Sequence, residues 1–339
     1  MKQPLPEGNE LIRSILREYW QLEPIDLHFI PIGDSAYSYR VEADSTTYLK
    51  IVDRRTATGR RTAERMQFSL PLQRTIASMH LEALDAPLPL PTTSGTLQAD
   101  TGPLLFALYT FIPGETLANA YPMSRELVGQ IGRALAQLHT VRPPEGLHVP
   151  PDDLTAPFDQ ELRENLAALD AITTASPPFL QQLRALVEPR RTQIDAFLEQ
   201  SDAYAEKARQ KPTHRVLCHG DPWGGNIIRT SSQRLTFLDW EAAIIAPPER
   251  DAYLYSGFIK PDFSAFAAAY EAPFQWNMAL LAYYTYRLQL RNLAAWLHSL
   301  LHEPLNEVQR LNNLDMIENH CFDRLESVEQ TARALIAQQ

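Results

Sequence analysis

The sequence predicts an α+β fold, with antiparallel strands gathered near its N-terminus and a mainly helical remainder. Three observations carry this. Apolar runs separated by short turns fill residues 27 to 52 and return at 104 to 112, which is strand patterning. From Ser124 onward apolar residues recur at helical spacing, beginning with Leu127, Ile131, Leu135 and Leu138. At 339 residues the chain exceeds the usual size of one core, so one large or two smaller lobes are expected.

In chain order, Leu11, Ile12, Ile15, Leu16 and Tyr19 lie on one face of a leading helix. Leu27 to Ile32 and Tyr37 to Val41 read as two strands joined by the small-residue turn Gly33-Asp34-Ser35-Ala36. Thr46 to Val52 is a third strand with Lys50 inside an apolar run. A lysine there either faces water from a sheet edge or needs a partner, because a buried unpaired ammonium is costly. Leu72, Ile76, Met79 and Leu84 mark a helix that ends before Pro87-Leu88-Pro89, and Leu104 to Ile112 is a strand running into Pro113-Gly114. Ser124 opens a helix that ends near His139, a residue expected to make structural hydrogen bonds. Residues 153 to 210 and 276 to 337 read as further helices. Tyr283, Tyr284 and Tyr286 are expected in the core, and the His298/His302 pair is expected on a solvated face.

The chemistry is concentrated between Val216 and Asp251. Val216-Leu217-Cys218 is a strand end, followed at once by His219-Gly220-Asp221-Pro222-Trp223-Gly224-Gly225-Asn226, too rich in Gly and Pro for a regular element. Ile227-Ile228, a turn at Ser231-Ser232-Gln233, and Leu235 to Leu238 then form a hairpin ending on Asp239. Asp221, Asn226 and Asp239 thus place a carboxylate at each end of a loop-hairpin unit and an amide between them. Mg²⁺ takes oxygen ligands, with only one or two carboxylates from the protein. A phosphoryl acceptor needs its hydroxyl oriented and its proton accepted. Asp221 suits the base, and Asn226 and Asp239 suit the metal. Each alone reads more readily as a turn cap or surface residue than as a catalytic group; the three together point to phosphoryl transfer.

Composition excludes several alternatives. A net charge of −10, from 31 Lys+Arg and 41 Asp+Glu, argues against nucleic-acid binding through a basic surface. It is compatible with steering a cationic substrate. Two cysteines without CxxC spacing argue against a disulfide framework or a zinc site and fit a reducing cytoplasm. The N-terminal stretch lacks a signal-peptide core, and no apolar run approaches a membrane span. There are no internal repeats, no Walker A loop and no GxGxxG.

His-Gly-Asp, four residues, Asn, and then an apolar strand running to Asp-Trp resembles the aminoglycoside phosphotransferase and choline kinase-like family. Within it, LIRSILREYW, LCHGD and APPERD look most similar to the spectinomycin-phosphorylating members. The resemblance implies a protein-kinase-like two-lobed fold. Residues 1–112 would form a nucleotide-binding lobe of antiparallel strands, with a hinge at about 109–113. Residues 113–339 would form a mainly helical lobe for catalysis and substrate. It also implies that Ser35 lies in a turn over the ATP phosphates, that Lys50 holds those phosphates, and that Phe111 and Ile112 offer backbone groups to adenine. The family places an acid on the following helix to hold the lysine. Here the candidates are Glu64 and Gln73, and the sequence does not choose between them. Asp251 is expected to tie its turn to the catalytic loop, while Glu241 and Glu249 are left open between structural roles and a cationic substrate.

The expected function is ATP- and Mg²⁺-dependent phosphorylation of a small hydroxylated, cationic acceptor, such as an aminoglycoside or an aminocyclitol like spectinomycin. That would make the chain a cytoplasmic resistance enzyme, working as a monomer or homodimer without nucleic-acid or membrane partners. The rivals are a housekeeping kinase for choline, a sugar or an amino alcohol, and a nucleotide-binding scaffold without turnover.

Overall fold

A computed structural model describes residues 3–33, 35–210, 214–230, 234–257 and 263–337. Asp34 and the turn expected at Ser231-Ser232-Gln233 lie outside the described residues.

The chain opens with α1 (Gly8–Trp20), β1 (Asp26–Ile30), β2 (Tyr37–Glu42), β3 (Thr47–Asp53) and α2 (Ala57–Ser78). Next come β4 (Leu84–Asp85), β5 (Pro89–Leu90), β6 (Ala99–Asp100) and β7 (Leu104–Thr110). Among the described residues these form an antiparallel sheet in the order β1-β2-β3-β7-β5, with β6 also on β7. Alternation along the strands builds two cores. Leu49 and Ile51 of β3, with Leu104, Phe106 and Leu108 of β7, pack against Ile12 and Leu16 of α1. Val52, Leu105, Ala107 and Tyr109 face the other way, onto Met66 and Leu70 of α2. Lys50 falls on this second face, opposite Ala107 of β7 and Ser38 of β2. It is therefore on a central strand and 6% exposed, not an edge lysine in water.

The α2 helix is capped by Thr56, whose hydroxyl accepts the Gly59 N–H at 3.0 Å. A side chain at Gly59 would meet Asp53 O at 1.9 Å, so the tight entry to α2 requires glycine. The expected helix over Leu72 to Leu84 is corrected here. The helix starts earlier and stops at Ser78, while Leu84 lies in a strand. Helical spacing brought Leu84 into the pattern, but β4 instead pairs in parallel with Leu235 and Thr236, far along the chain.

The rest of the chain is mainly helical, as expected. It runs α3 (Arg125–Leu138), α4 (Phe158–Ala168), α5 (Pro178–Val187), α6 (Arg191–Arg209), β8 (Val216–Cys218), β9 (Ile227–Arg229), β10 (Leu235–Phe237) and β11 (Ile244–Ala246). Then follow α7 (Glu249–Ala252), α8 (Phe263–Tyr270), α9 (Met278–His302), α10 (Glu307–Asp315) and α11 (Leu325–Ile336). β4, β10 and β9 make one small sheet, and β8 and β11 another. The short β11 strand has no counterpart among the sequence expectations. One large core joins α3, the two small sheets and the start of α9, and a second lies among α4, α6, α9 and α11. Tyr283, Tyr284 and Tyr286 are buried in these cores. Asp152, 2% exposed, is held by Arg287 Nη1 at 3.0 Å to both carboxylate oxygens and by the Tyr284 hydroxyl at 3.2 Å. His298 contacts Glu161 of α4 at 2.7 Å and His302 contacts Asn165 at 2.9 Å, so this pair packs on a neighbouring helix. No helix among the described residues is long and apolar enough to cross a membrane.

Candidate active site

The loop leaving β8 is fixed by one buried carboxylate. Asp251 Oδ2 accepts the His219 N–H at 2.8 Å and Oδ1 accepts the Gly220 N–H at 2.7 Å. His139 Nε2 reaches Oδ2 at 3.1 Å, and its Nδ1 lies 2.7 Å from the Tyr270 hydroxyl. Burial works against the charged Asp251, yet the bonds from His139 and the loop amides hold its pKa below the ordinary carboxylate value. The loop must also pass close to a neighbour. Gly220 has φ +84°, and a Cβ there would lie 2.0 Å from Ala242 O.

His219 is fully buried and bridges both sides of the site. Its Nε2 donates to Leu238 O at 2.7 Å, and its Nδ1 accepts the Asp221 N–H at 3.3 Å. This pattern requires the Nε2–H tautomer. Asn226 makes the second bridge. Its Nδ2 donates to Asp221 O at 2.9 Å and Oδ2 at 3.2 Å, while its backbone O accepts the Leu238 N–H at 2.8 Å. The loop carrying Asp221 and the strand end leading to Asp239 are thereby tied at two points.

Asp239 lies two residues past β10 in the left-handed region, with φ 60° and ψ 59°. This turns its side chain toward β3, where Lys50 Nζ donates to Asp239 Oδ1 at 2.6 Å. The same ammonium donates to Glu241 Oε1 at 2.8 Å. The Lys50 charge holds the Asp239 pKa low. Burial opposes the lysine's charge, but Asp239 and Glu241 raise its pKa well above the usual value. Trp240 between them is fully buried, its indole N–H bonded to Phe237 O at 2.9 Å, and so fixes the turn that carries both acids.

Neither expected partner of Lys50 is its partner. Gln73 is buried, but its amide donates to Pro87 O at 2.6 Å. Glu64 is exposed and lines a cavity with Arg54 and Arg60. The lysine is held instead from the segment after β10. Glu249, 4% exposed, accepts the Asn277 N–H at 2.7 Å. Ser35 sits half-buried in the β1–β2 turn. Phe111 and Ile112 follow β7 directly and are half-buried, with the Arg40 guanidinium 5.1 Å from the Phe111 ring centroid. Sequence reasoning missed Glu241 as a lysine partner and His219 as a bridge. The signal for the first was its place two residues from Asp239.

The donor set suits a hard divalent cation. Lys50 engages only Oδ1 of Asp239, whose side chain is 55% exposed. Asn226 directs its NH₂ to Asp221, and its carboxamide oxygen accepts no bond among the described residues. A carboxylate and a carboxamide oxygen are ligand types that match Mg²⁺ chemistry, with phosphate and water completing the shell.

Residues 26–284 match the phosphotransferase enzyme family. The chain is 27% identical over 299 residues to Protein StrN of Streptomyces griseus, covering 84% of this chain and 88% of that protein. It superposes on spectinomycin phosphotransferase in complex with ADP and spectinomycin with a TM-score of 0.78 at 16% identity, over 96% of this chain and 98% of the other. An amicoumacin kinase in complex with AMP-PNP and Ca²⁺ superposes with a TM-score of 0.59 at 14% identity, over 92% of this chain and 94% of the other. The two-lobed, kinase-like fold is common to them.

Proposed function

Because the chain belongs to the phosphotransferase enzyme family, its reaction is phosphoryl transfer to a hydroxyl, and we propose that ATP is the donor and an aminoglycoside or aminocyclitol such as spectinomycin the acceptor. The observation that carries this is the double tie through His219 and Asn226, which joins the loop of Asp221 to Leu238, the residue before Asp239, with Lys50 bonded to Asp239. In this reading Asp221 orients the acceptor hydroxyl and takes its proton. Lys50 holds the nucleotide phosphates, the Ser35 turn covers them, and the chain at Phe111-Ile112 meets adenine. Asn226 and Asp239 hold Mg²⁺, which supplies charge neutralisation between the phosphates. Residues 1–112 serve the nucleotide, with a hinge at about 109–113, and residues 113–339 serve catalysis and acceptor. The fold neighbours crystallised with nucleotides and with spectinomycin support the donor and acceptor classes. Resistance in the cytoplasm is the physiological role that fits.

One observation favours a different acceptor for the same chemistry. Arg65 of α2, Arg250 of α7 and Arg291 of α9 form no ion pair among the described residues. Burial, together with the neighbouring charges of Arg291 and Arg250, lowers the Arg65 pKa. Neighbouring guanidinium groups without an ion pair repel a polycation and attract a hydroxylated metabolite bearing a carboxylate or phosphate. That acceptor would make the protein a housekeeping metabolite kinase.

The test is ADP release from Mg-ATP across spectinomycin, aminoglycosides, choline, sugar alcohols and sugar acids, with Asp221→Asn as control. Turnover with spectinomycin or an aminoglycoside, reduced by about 10²–10⁴-fold in Asp221→Asn, supports the first reading. Turnover confined to sugar acids supports the second. Full activity in Asp221→Asn refutes both.

A further inference from the structure

In protein kinases the nucleotide lysine is held by an acid on the helix that follows its strand, and moving that helix switches the site. This chain offers no such acid. Glu64 is the one carboxylate in α2, and it is exposed beside Arg54 and Arg60. Lys50 nonetheless has two carboxylates, and they are not equivalent. Asp239 is 55% exposed at the side chain, whereas Glu241 is 14% exposed and 2.8 Å from the ammonium. A cation on the second oxygen of Asp239 would draw on the negative charge that Lys50 now has, leaving an ammonium only 6% exposed short of a full counter-charge. Such a group requires a second anion.

We propose that Glu241 is the positioning residue for Lys50, keeping the ammonium aimed at the nucleotide phosphates while Asp239 serves the metal. The inference rests on the reading of Lys50 and Asp239 given above. Its consequence is that the acid on the lysine and the metal carboxylate both come from one short turn, locked by the buried Trp240 and packed against α2, and not from a carboxylate on α2 itself.

Calorimetric titration of the full chain with Mg-AMP-PNP and, separately, with adenosine tests this in wild type, Glu241→Gln, Glu241→Asp and Glu64→Gln. Loss of one charged hydrogen bond to Lys50 should weaken Mg-AMP-PNP by about 10- to 100-fold in Glu241→Gln. Adenosine, which has no phosphates, should bind as before. Glu241→Asp should recover part of the loss, and Glu64→Gln should match wild type. Unchanged Mg-AMP-PNP affinity in Glu241→Gln overturns the proposal. So does an equal loss for adenosine, which marks a merely structural residue. A rise in half-saturating Mg²⁺, with metal-free AMP-PNP binding intact, also overturns it by making Glu241 a metal ligand. If Glu241→Gln does not fold, the same comparisons are made with Glu241→Asp, where affinities equal to wild type overturn it. Wild type that fails to bind Mg-AMP-PNP refutes the underlying nucleotide reading instead.

Discussion

Asp251→Asn isolates how much of the site depends on a single buried carboxylate. The substitution keeps size and one acceptor oxygen but replaces the other oxygen with an NH₂. Asp251 is fully buried and accepts from His219 N–H at 2.8 Å, Gly220 N–H at 2.7 Å and His139 Nε2 at 3.1 Å. With Nδ2 in the place of Oδ1, the buried Gly220 N–H faces a donor and loses its acceptor. With the amide flipped, His219 and His139 lose theirs. One charged hydrogen bond is worth about 1.5–3 kcal/mol, and a stranded buried donor costs about 1–3 kcal/mol. The favoured flip should therefore destabilise the protein by roughly 3–5 kcal/mol. That is a large share of the typical ~5–15 kcal/mol of a folded domain. At ~2–4 °C per kcal/mol the midpoint should fall by roughly 6–20 °C. Thermal unfolding followed by circular dichroism measures this, and a His139→Asn/Asp251→Asn double variant checks that the two losses overlap. A midpoint within about 1 °C of wild type would refute the claim that this carboxylate anchors the loop.

Other outcomes follow from the same geometry. Gly220→Ala combines a left-handed backbone with a Cβ 2.0 Å from Ala242 O, so turnover should fall steeply alongside the melting temperature; wild-type behaviour would show that the loop can shift aside. Arg287→Ala leaves Asp152 buried without its cation and should cost about 3–5 kcal/mol, read from urea unfolding at pH 7. Asp239→Ala should abolish the thermal stabilisation by Mg-ATP while leaving the apo protein folded. Burial, with help from Asp202, pushes the Asp159 pKa up to about 6. A carboxyl raised above its unfolded value destabilises the native state at neutral pH, and stability returns as pH falls through about 6. Asp159→Asn should therefore melt higher than wild type at pH 8, with the gap closing toward pH 4; a gap independent of pH would exclude Asp159 as its source.

The elements set by local pattern were legible in the sequence. The leading helix, the three strands from 26 to 53 and the helix capped by Ser124 appear where apolar spacing and capping place them. Asp221, Asn226 and Asp239 were readable because loop, hairpin and acids are contiguous. What could not be read depends on contacts between distant segments. Nothing near Leu84 indicates that it will lie beside Leu235, and two-residue strands leave no periodicity to detect. The Asp251 anchor joins residues 112 and 32 positions apart, through His139 and His219. Lys50 advertised a need for a partner but not its source. Glu241 is 191 positions away, and its neighbour Asp239 reaches the lysine only because it takes a left-handed turn that non-glycine residues seldom adopt.

The parallel pairing of β4 with β10 also determines what happens if the chain is divided. A cut at 112–113 looks natural in sequence, yet Leu84 and Asp85 edge the hairpin that carries the site, and Ala83 O accepts the Leu235 N–H at 3.1 Å. An ion pair of 3.1 Å between Arg234 and Asp85 lies at the same seam. A fragment starting at residue 113 would present β10 as a bare, apolar strand edge, the kind of surface along which chains stack on one another. Expressed alone it should sediment as aggregate, and a peptide spanning Leu81 to Leu90 added during refolding should return it to solution.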